Sequence, residues 1–213
     1  MNIITISREF GSGGRELGKK LADLIGYDYY DSEIISAVAK NNGVDPKYVE
    51  HMLSNHGWQN VSVTYCRTLS SASYIQNSQV HLLIEQKKVI DKIGSLGKDC
   101  VIVGRNADLI LQRYQPFNIF VCAEMDAKIR RCRQRMPEDE NLSEKELIRK
   151  MKQIDKVRSQ TRALMDGPDW GKRDQYHLTV NTTNWEIEEI VPAVADFAAR
   201  WFGRKHETTN SAV

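Results

Sequence analysis

The sequence lacks the features that would send the chain to a membrane or an oxidising compartment. No apolar run is long enough to cross a bilayer, and the first residues lack the basic segment, apolar stretch and small-residue cleavage site of a secretory leader. The four cysteines form no CxxC or Cys/His pattern, and we interpret them as reduced and structural: Cys66, Cys100, Cys122 and Cys132. We therefore expect a cytoplasmic protein without a membrane partner.

Two further absences narrow the chemistry. The five histidines show no metal-ligand spacing, and no Ser/His/Asp or Cys/His constellation is apparent, so we predict neither a protein-built metal site nor a hydrolase. Thirty basic and 28 acidic side chains give a formal charge of +2, which neither requires nor excludes a polyanionic partner. Local clusters of charge are therefore more informative than the total.

The pattern of apolar residues predicts an α/β fold. Five apolar or β-branched segments, at residues 2–7, 27–31, 100–104, 117–123 and 176–181, alternate with segments of helical period. Residues 2–7 are apolar at successive positions, which suits a strand buried on both faces of a parallel sheet. We predict a five-stranded parallel sheet with helices on both faces. Ser143 with Glu146, and Thr183 with Glu186, have the spacing of capping boxes and predict two helix starts.

The length of 213 residues fits one domain, which we place at residues 1–204. The last residues, 205–213, follow no pattern and are predicted to form a disordered tail. Residues 57–77 also lack a clear period, and we interpret them as a loop or a short hairpin with a functional role left open.

The stretch FGSGGRELGKK, residues 10–20, lies between the first predicted strand and the first predicted helix. Glycines allow several backbone N–H groups to converge, and the helix N-terminus adds partial positive charge. We therefore predict an anion cradle formed by Gly11, Ser12, Gly13, Gly14, Arg15 and Glu16. The simpler alternative is a tight turn.

This loop departs from the nucleotide-binding pattern GxxxxGK[ST]. Alignment of the strands puts Gly14 at the lysine and Glu16 at the magnesium-binding hydroxyl. Arg15 could supply the missing charge with its planar fork. Glu16 could reach magnesium, or it could simply complement the helix dipole as an acidic residue of the first turn.

Arginines follow the third strand and fill the later helices. Arg105 comes at the carboxyl end of a strand, where it could bind a phosphate or a base edge, although a surface role is the alternative. Residues 128–135, KIRRCRQR, are strongly basic; Arg158 and Arg162 share a helical face with Asp155. These arginines could clamp a polyphosphate, or they could belong to solvated helix surfaces and ordinary salt bridges.

Taken in order, the segments ITIS…GSGGRELGKKLA, YYDSEII, CVIVGRNADLIL, FVCAEMDAKIRRCRQR, DKVRSQTRALM and YHLTVNTTNWEIEEIV resemble the cytidylate kinase-like family of P-loop nucleoside monophosphate kinases. The likeness runs from about residue 2 to residue 201. It implies a P-loop nucleoside-triphosphate-hydrolase-like fold, with ATP and Mg²⁺ as cofactors and a CMP-like acceptor. It also implies an acceptor-side helical region at 45–98 and a mobile, arginine-bearing lid at about 128–158.

The resemblance also suggests roles for individual residues. The triphosphate would bind the glycine-rich loop, and the acceptor would bind near three residues, which are Asp31, Arg105 and Asn106. The residues expected to act in catalysis are Arg15, Arg131, Arg158 and Arg162. The family triplet Gly-Arg-Asp is Gly104-Arg105-Asn106 here. This chain therefore lacks a carboxylate that the resemblance associates with cytosine recognition.

Two other functions stay open from the sequence. The missing lysine and hydroxyl would also suit a binding or regulatory module that has lost catalysis, and a kinase for another small molecule would keep the donor site but change the acceptor. In each case we expect nucleotide ligands and no nucleic acid; whether the chain forms a homo-oligomer is left open.

Overall fold

A computed structural model describes residues 1–31, 77–136, 142–165 and 167–210, without the side chains of residues 77–82 and 205–210. Numbered along these residues, the elements are β1 (Ile3–Arg8), α1 (Gly14–Ile25), β2 (Asp28–Asp31), α2 (Asn77–Ser95), β3 (Cys100–Val103), α3 (Ala107–Ile110), β4 (Phe117–Cys122), α4 (Met125–Arg135), α5 (Glu144–Ala163), β5 (Leu178–Asn181) and α6 (Ile187–Asn210). Single 3₁₀ turns lie at Gln112–Tyr114 and Arg173–Gln175.

The five strands form one parallel sheet in the order β2-β3-β1-β4-β5. The predicted fold class is therefore confirmed, and β1 is the central strand. Because all strands run in the same direction, their carboxyl ends meet at one edge of the sheet, where ligands of open α/β folds bind. Arg8, Asp31 and Val103 end three neighbouring strands at that edge.

Burial at successive positions explains why the central strands form. Ile3, Ile4, Thr5 and Ile6 are all buried, as is every residue of β3. Side chains of a strand alternate between its two faces, so continuous burial means that both faces are covered. Gly18 lets α1 approach the sheet closely, since a Cβ there would lie 2.6 Å from Cγ2 of Val103.

A second apolar cluster lies beside the glycine-rich loop. Phe10 from the loop packs with Ile129 and Cys132 of α4 and with Leu147 and Met151 of α5. The two basic helices are therefore attached to the loop by a small core of their own. The lid expected at about 128–158 stays a prediction, and residues 137–141 within it lie outside the described part of the chain.

The N-termini of α5 and α6 test the two predicted capping boxes. The box at α5 is present, because the Ser143 side chain accepts from the N–H of Glu146 and the Glu146 carboxylate accepts from the N–H of Ser143. The second box is wrong. Thr183 donates its hydroxyl to Asn181 at 2.5 Å, and α6 begins only at Ile187.

The chain end also differs from expectation. α6 continues to Asn210, so the helix extends past residue 204, where we predicted that a disordered tail begins. Residues 57–76 of the loop or hairpin predicted at 57–77 lie outside the described residues, as does the first part of the acceptor-side region at 45–98. None of the helices that the structure describes has both the length and the apolar content needed to traverse a bilayer.

Candidate functional site

The glycine-rich loop has the backbone shape of an anion cradle. Gly11 and Gly13 have φ values of +78° and +81°, in the left-handed region that side chains disfavour. Within the described residues, no acceptor is found for the N–H groups of Gly11, Gly13 and Gly14. Donors left open at the start of a helix are suited to phosphate oxygens.

Two sets of contacts hold this loop in place. On one side, Thr182 follows β5 and donates its hydroxyl to the Ser12 carbonyl at 2.7 Å. Arg131 donates to the Thr182 hydroxyl and to the Trp185 carbonyl, both at 2.9 Å, and also to the Thr182 carbonyl. Arg131 thus lies against the loop, with its Nε 3.8 Å from the position of a Cβ on Gly13.

On the other side, the loop is held by α4 and α5. The Phe10 N–H donates to Asp155 at 2.8 Å, and Lys128 pairs with Glu9 at 2.6 Å. Asp155 also accepts from Arg158 at 2.9 Å. Burial raises the pKa of Asp155 and the charge of Arg158 acts against that rise. The Asp-x-x-Arg element therefore supports the loop directly.

Arg15 takes a different position from the one expected. Its Nε and Nη2 donate to the same oxygen of Asp31, at 2.7 and 2.6 Å, and the Asp31 side chain is almost wholly buried. The structure thus joins a predicted phosphate-binding residue to a predicted acceptor-binding residue. The expectation that Arg15 takes the place of the loop lysine is not supported by this arrangement, because its planar fork is turned to a carboxylate of β2.

Glu16 also has basic partners. Arg135 of α4 donates to its carboxylate, and the ammonium group of Lys20 lies 3.9 Å from it. Glu16 is in the first turn of α1, where a negative charge is favoured by the helix dipole. Of the two sequence interpretations, the dipole-complementing one agrees with these contacts. Counted from Gly14 at the lysine of GxxxxGK[ST], the hydroxyl position also falls on Arg15 rather than on Glu16. Among the described residues, no group of three or more His, Cys, Asp or Glu side chains is placed to hold a metal ion.

The turn after β3 has an unusual backbone. Gly104, Arg105 and Asn106 have φ values of +82°, +58° and +53°. Two consecutive non-glycine residues in this region are rare, and such strain collects at functional sites. Arg105 is exposed, and the Asn106 amide donates to the Met165 sulfur at 3.3 Å. Although part of its surface is exposed, desolvation by the protein groups around it and the nearby Arg8 lower the pKa of Arg105 to about 10.

Arg162 is almost wholly buried. Its guanidinium is buried and donates to Asp108 at 2.7 Å and to the Pro168 carbonyl at 2.8 Å. These bonds join the last turn of α5 to α3 and to the chain after it. The catalytic role of Arg162 stays a prediction, and the contacts described here are structural ones between α5 and its neighbours.

The sequence interpretation missed Arg8, the last residue of β1. Its guanidinium occupies the space that a Cβ on Gly104 would take, and no described residue accepts a hydrogen bond from it. Burial and the neighbouring Arg158 lower the pKa of Arg8 to about 9, while Asp31 acts in the opposite direction. A signal was present: Arg8 stands five residues before Gly13, at the first glycine of GxxxxGK.

Comparison with known proteins agrees with this geometry. A family model described as the cytidylate kinase-like family matches residues 3–184, which confirms the resemblance seen in the sequence. No protein with a curated description matches the chain. An uncharacterized protein from Eubacterium ventriosum is similar over 93% of this chain and 99% of its own, with 23% identity and a TM-score of 0.68.

Two other solved structures are similar in fold. Shikimate kinase from Acinetobacter baumannii, in complex with shikimate, has 12% identity and a TM-score of 0.53 over 94% of each chain. A gluconokinase from Sinorhizobium meliloti has 14% identity and a TM-score of 0.51 over 97% of each chain. At these identities the likeness concerns the fold, which is that of P-loop kinases.

Proposed function

Because the chain belongs to the cytidylate kinase-like family, we propose that it transfers the γ-phosphoryl group of ATP to a nucleoside monophosphate that resembles CMP. One observation carries the proposal. The open N–H groups of the glycine-rich loop lie at the same sheet edge as the residues Arg8, Arg105 and Arg158. An anion cradle next to a cluster of cations is what phosphoryl transfer between two phosphates requires.

On the donor side, Gly11, Gly13 and Gly14 donate their N–H groups to the phosphates. Arg131 holds the loop in shape through Thr182 and adds positive charge beside Gly13. Magnesium would neutralise charge on the transferred group and orient it. Since the described residues offer no cluster of metal-binding side chains, phosphate oxygens and water would be its main ligands.

On the acceptor side, Arg105 and Arg158 bind the monophosphate. Its oxygen is already anionic at neutral pH, so it attacks the γ-phosphorus without a general base. The bond from that phosphorus to the bridging oxygen breaks, and ADP leaves. Asp31 fixes Arg15 at 2.7 Å and in this way shapes the acceptor end of the site.

A second candidate acceptor is a hydroxylated small molecule, and Asp31 is the observation that favours it. Its carboxylate is buried at the carboxyl end of β2 and is near enough to the Tyr29 hydroxyl to accept from it at 3.4 Å. A hydroxyl nucleophile must lose its proton, and such a carboxylate could accept it. Two proteins of similar fold have names that specify shikimate and gluconate kinases.

A coupled ADP-release assay distinguishes the two acceptors. The native protein, with Mg²⁺ and ATP, is tested on a panel of nucleoside monophosphates and on a panel of hydroxy acids and polyols. We expect turnover with a pyrimidine monophosphate. Asp31→Asn should then raise the KM for that acceptor and leave most of kcat. With a hydroxyl acceptor, the same variant should instead lower kcat by about two or more powers of ten.

The control is Arg200→Met, which removes an exposed arginine paired with Asp196 on α6 and should change neither constant. Absence of turnover with every compound would contradict the enzymatic proposal. Tight nucleotide binding without turnover would support the binding-module alternative, and calorimetry on the same preparation measures it.

A further inference from the structure

Arg8 fills the space that the loop lysine would need. A side chain at position 14 would begin 2.6 Å from Cβ and 3.0 Å from Cγ of Arg8. Real side chains do not approach so closely, so a lysine at position 14 and an arginine at position 8 exclude one another. The pattern G-x-x-x-x-G-K is replaced here by R-x-x-x-x-G-G, in which glycine and the basic residue have exchanged ends.

We propose that Arg8 binds the terminal phosphates of the nucleoside triphosphate and supplies the positive charge that Gly14 cannot. The inference rests on the proposed function and names the residue that makes the altered loop competent. Arg8 would act as a catalytic residue, because its guanidinium touches the phosphates.

The position of the guanidinium agrees with this role. It lies between the carboxyl ends of β1 and β3, against Gly104, and the Arg158 guanidinium donates to the Arg8 carbonyl at 2.9 Å. Arg8 thus lies between the start of the glycine-rich loop and the arginines proposed to bind the acceptor phosphate, Arg105 and Arg158. A charge at this point neutralises the group that passes between donor and acceptor.

The charge balance also favours an anion. Arg8, Arg15 and Arg158 lie close enough to influence one another, and two carboxylates beside them, Asp31 and Asp155, form ion pairs. Asp31 accepts a hydrogen bond from Arg15, and Asp155 accepts one from Arg158. This leaves Arg8 half-buried, beside other cations, with no hydrogen-bond acceptor among the described residues. A phosphate group would satisfy its fork and relieve the repulsion.

Calorimetric titration with inorganic tripolyphosphate tests the proposal without any acceptor, and titrations with ATP and with CMP follow. We expect Arg8→Met to weaken tripolyphosphate and ATP about ten- to hundredfold, the effect of losing a charged hydrogen bond, while CMP changes less. Arg8→Lys should be intermediate, since it keeps the charge and loses the fork. Arg200→Met is the control and should bind all three probes as the native protein does.

Exchange of the two positions gives a second, independent test. Gly14→Lys alone should lower the melting temperature, because its Cβ meets the Arg8 side chain. The double variant Arg8→Gly with Gly14→Lys removes the overlap with Arg8, keeps a 3.1 Å approach to Cβ of Val121 and restores the common pattern, so it should be more stable than Gly14→Lys alone and should bind tripolyphosphate. If Arg8→Met does not fold, the lysine variant and the double variant carry the test.

Several outcomes would overturn the proposal. One is native binding of tripolyphosphate and ATP by folded Arg8→Met. Another is a selective loss of CMP binding, which would assign Arg8 to the acceptor alone. A double variant that folds but binds no tripolyphosphate would also contradict an exchange of roles. Because binding is measured without turnover, failure of the kinase assay with every acceptor would leave these results interpretable.

Discussion

At the scale of single residues, the turn Gly104-Arg105-Asn106 combines strain with close contact. Arg105 and Asn106 keep left-handed backbones although neither is glycine, and Gly104 has both a φ of +82° and no room for a side chain. The space is taken by the Arg8 guanidinium. Both the backbone conformation and the packing therefore require glycine at position 104.

Gly104→Ala should separate these two effects when it is compared with Gly26→Ala. Gly26 also has a positive φ, +72°, but nothing lies within 4 Å of a Cβ there. We expect each variant to lose about 1–2 kcal/mol of unfolding free energy from the left-handed conformation. Gly104→Ala should lose more, because it displaces Arg8, and it alone should weaken tripolyphosphate binding.

Urea denaturation gives the unfolding free energies, and calorimetry gives the binding constants. Equal stability losses and equal binding in the two variants would show that Arg8 moves aside at no cost.

At the scale of secondary-structure elements, the glycine-rich loop is held from two directions. The turn between β5 and α6 reaches it through Thr182, and α4 and α5 reach it through Phe10, Lys128 and Asp155. The open N–H groups are thus fixed before a ligand arrives, which reduces the entropy that binding must overcome. It also means that Phe10 packing restrains the parts of α4 and α5 nearest the loop.

Thr182→Val tests the first of these attachments. The change keeps the shape but removes the hydroxyl that donates to Ser12 and accepts from Arg131. Since both partners are buried, we expect a loss of about 1–3 kcal/mol in unfolding free energy and weaker ATP binding.

Thr161→Val is the matched control, because that hydroxyl donates only to the Val157 carbonyl within α5. Thermal unfolding with and without ATP measures both effects. A Thr182 variant that responds to ATP like the Thr161 variant would argue against a supporting role for the β5–α6 turn.

At the scale of the whole molecule, the sequence predicted the sheet well because burial of successive strand residues leaves a clear pattern. It also predicted the cradle, since glycines between a strand and a helix have a local meaning. The sequence did not indicate a site role for Arg8, because its contact with Gly104 arises only when β1 and β3 are neighbours in the sheet.

Arg162 has contacts that its spacing in the sequence does not indicate. Its spacing from Arg158 places both on one side of a helix, but the spacing does not reveal that Asp108 and Pro168 meet the last turn of α5. Arg15 was assigned to phosphate for a similar reason: its bond to Asp31 joins the start of α1 to the end of β2. In each case a partner that is distant in the sequence determines where the side chain lies, and the local sequence pattern does not reveal that partner.

The pH dependence of stability is expected to involve His177. Its ring stacks on Phe117 and packs against Trp201, its Nδ1 accepts from the Asn118 N–H at 2.9 Å, and burial lowers its pKa below the ordinary value. Below about pH 6.5 the unfolded chain therefore binds a proton more readily than the native protein. Native stability should fall as the pH decreases through this range.

His177→Asn keeps an acceptor for Asn118 and removes the titration. Melting temperatures measured from about pH 5 to about pH 7.5 should decline less steeply towards acid for the variant than for the native protein. The variant should be less stable at neutral pH, because it lacks the stacked ring. Parallel curves for the two proteins would assign the acid sensitivity to other groups.

The exclusion between Arg8 and a side chain at position 14 has a consequence for how sites of this kind are found. A motif scan that requires lysine after the second glycine misses any chain in which the basic residue is instead the last residue of the preceding strand. A scan for arginine, four residues of any type and two glycines, placed between a buried strand and an amphipathic helix, would recover such chains. The two patterns should rarely coincide in one sequence, because the two side chains compete for one volume.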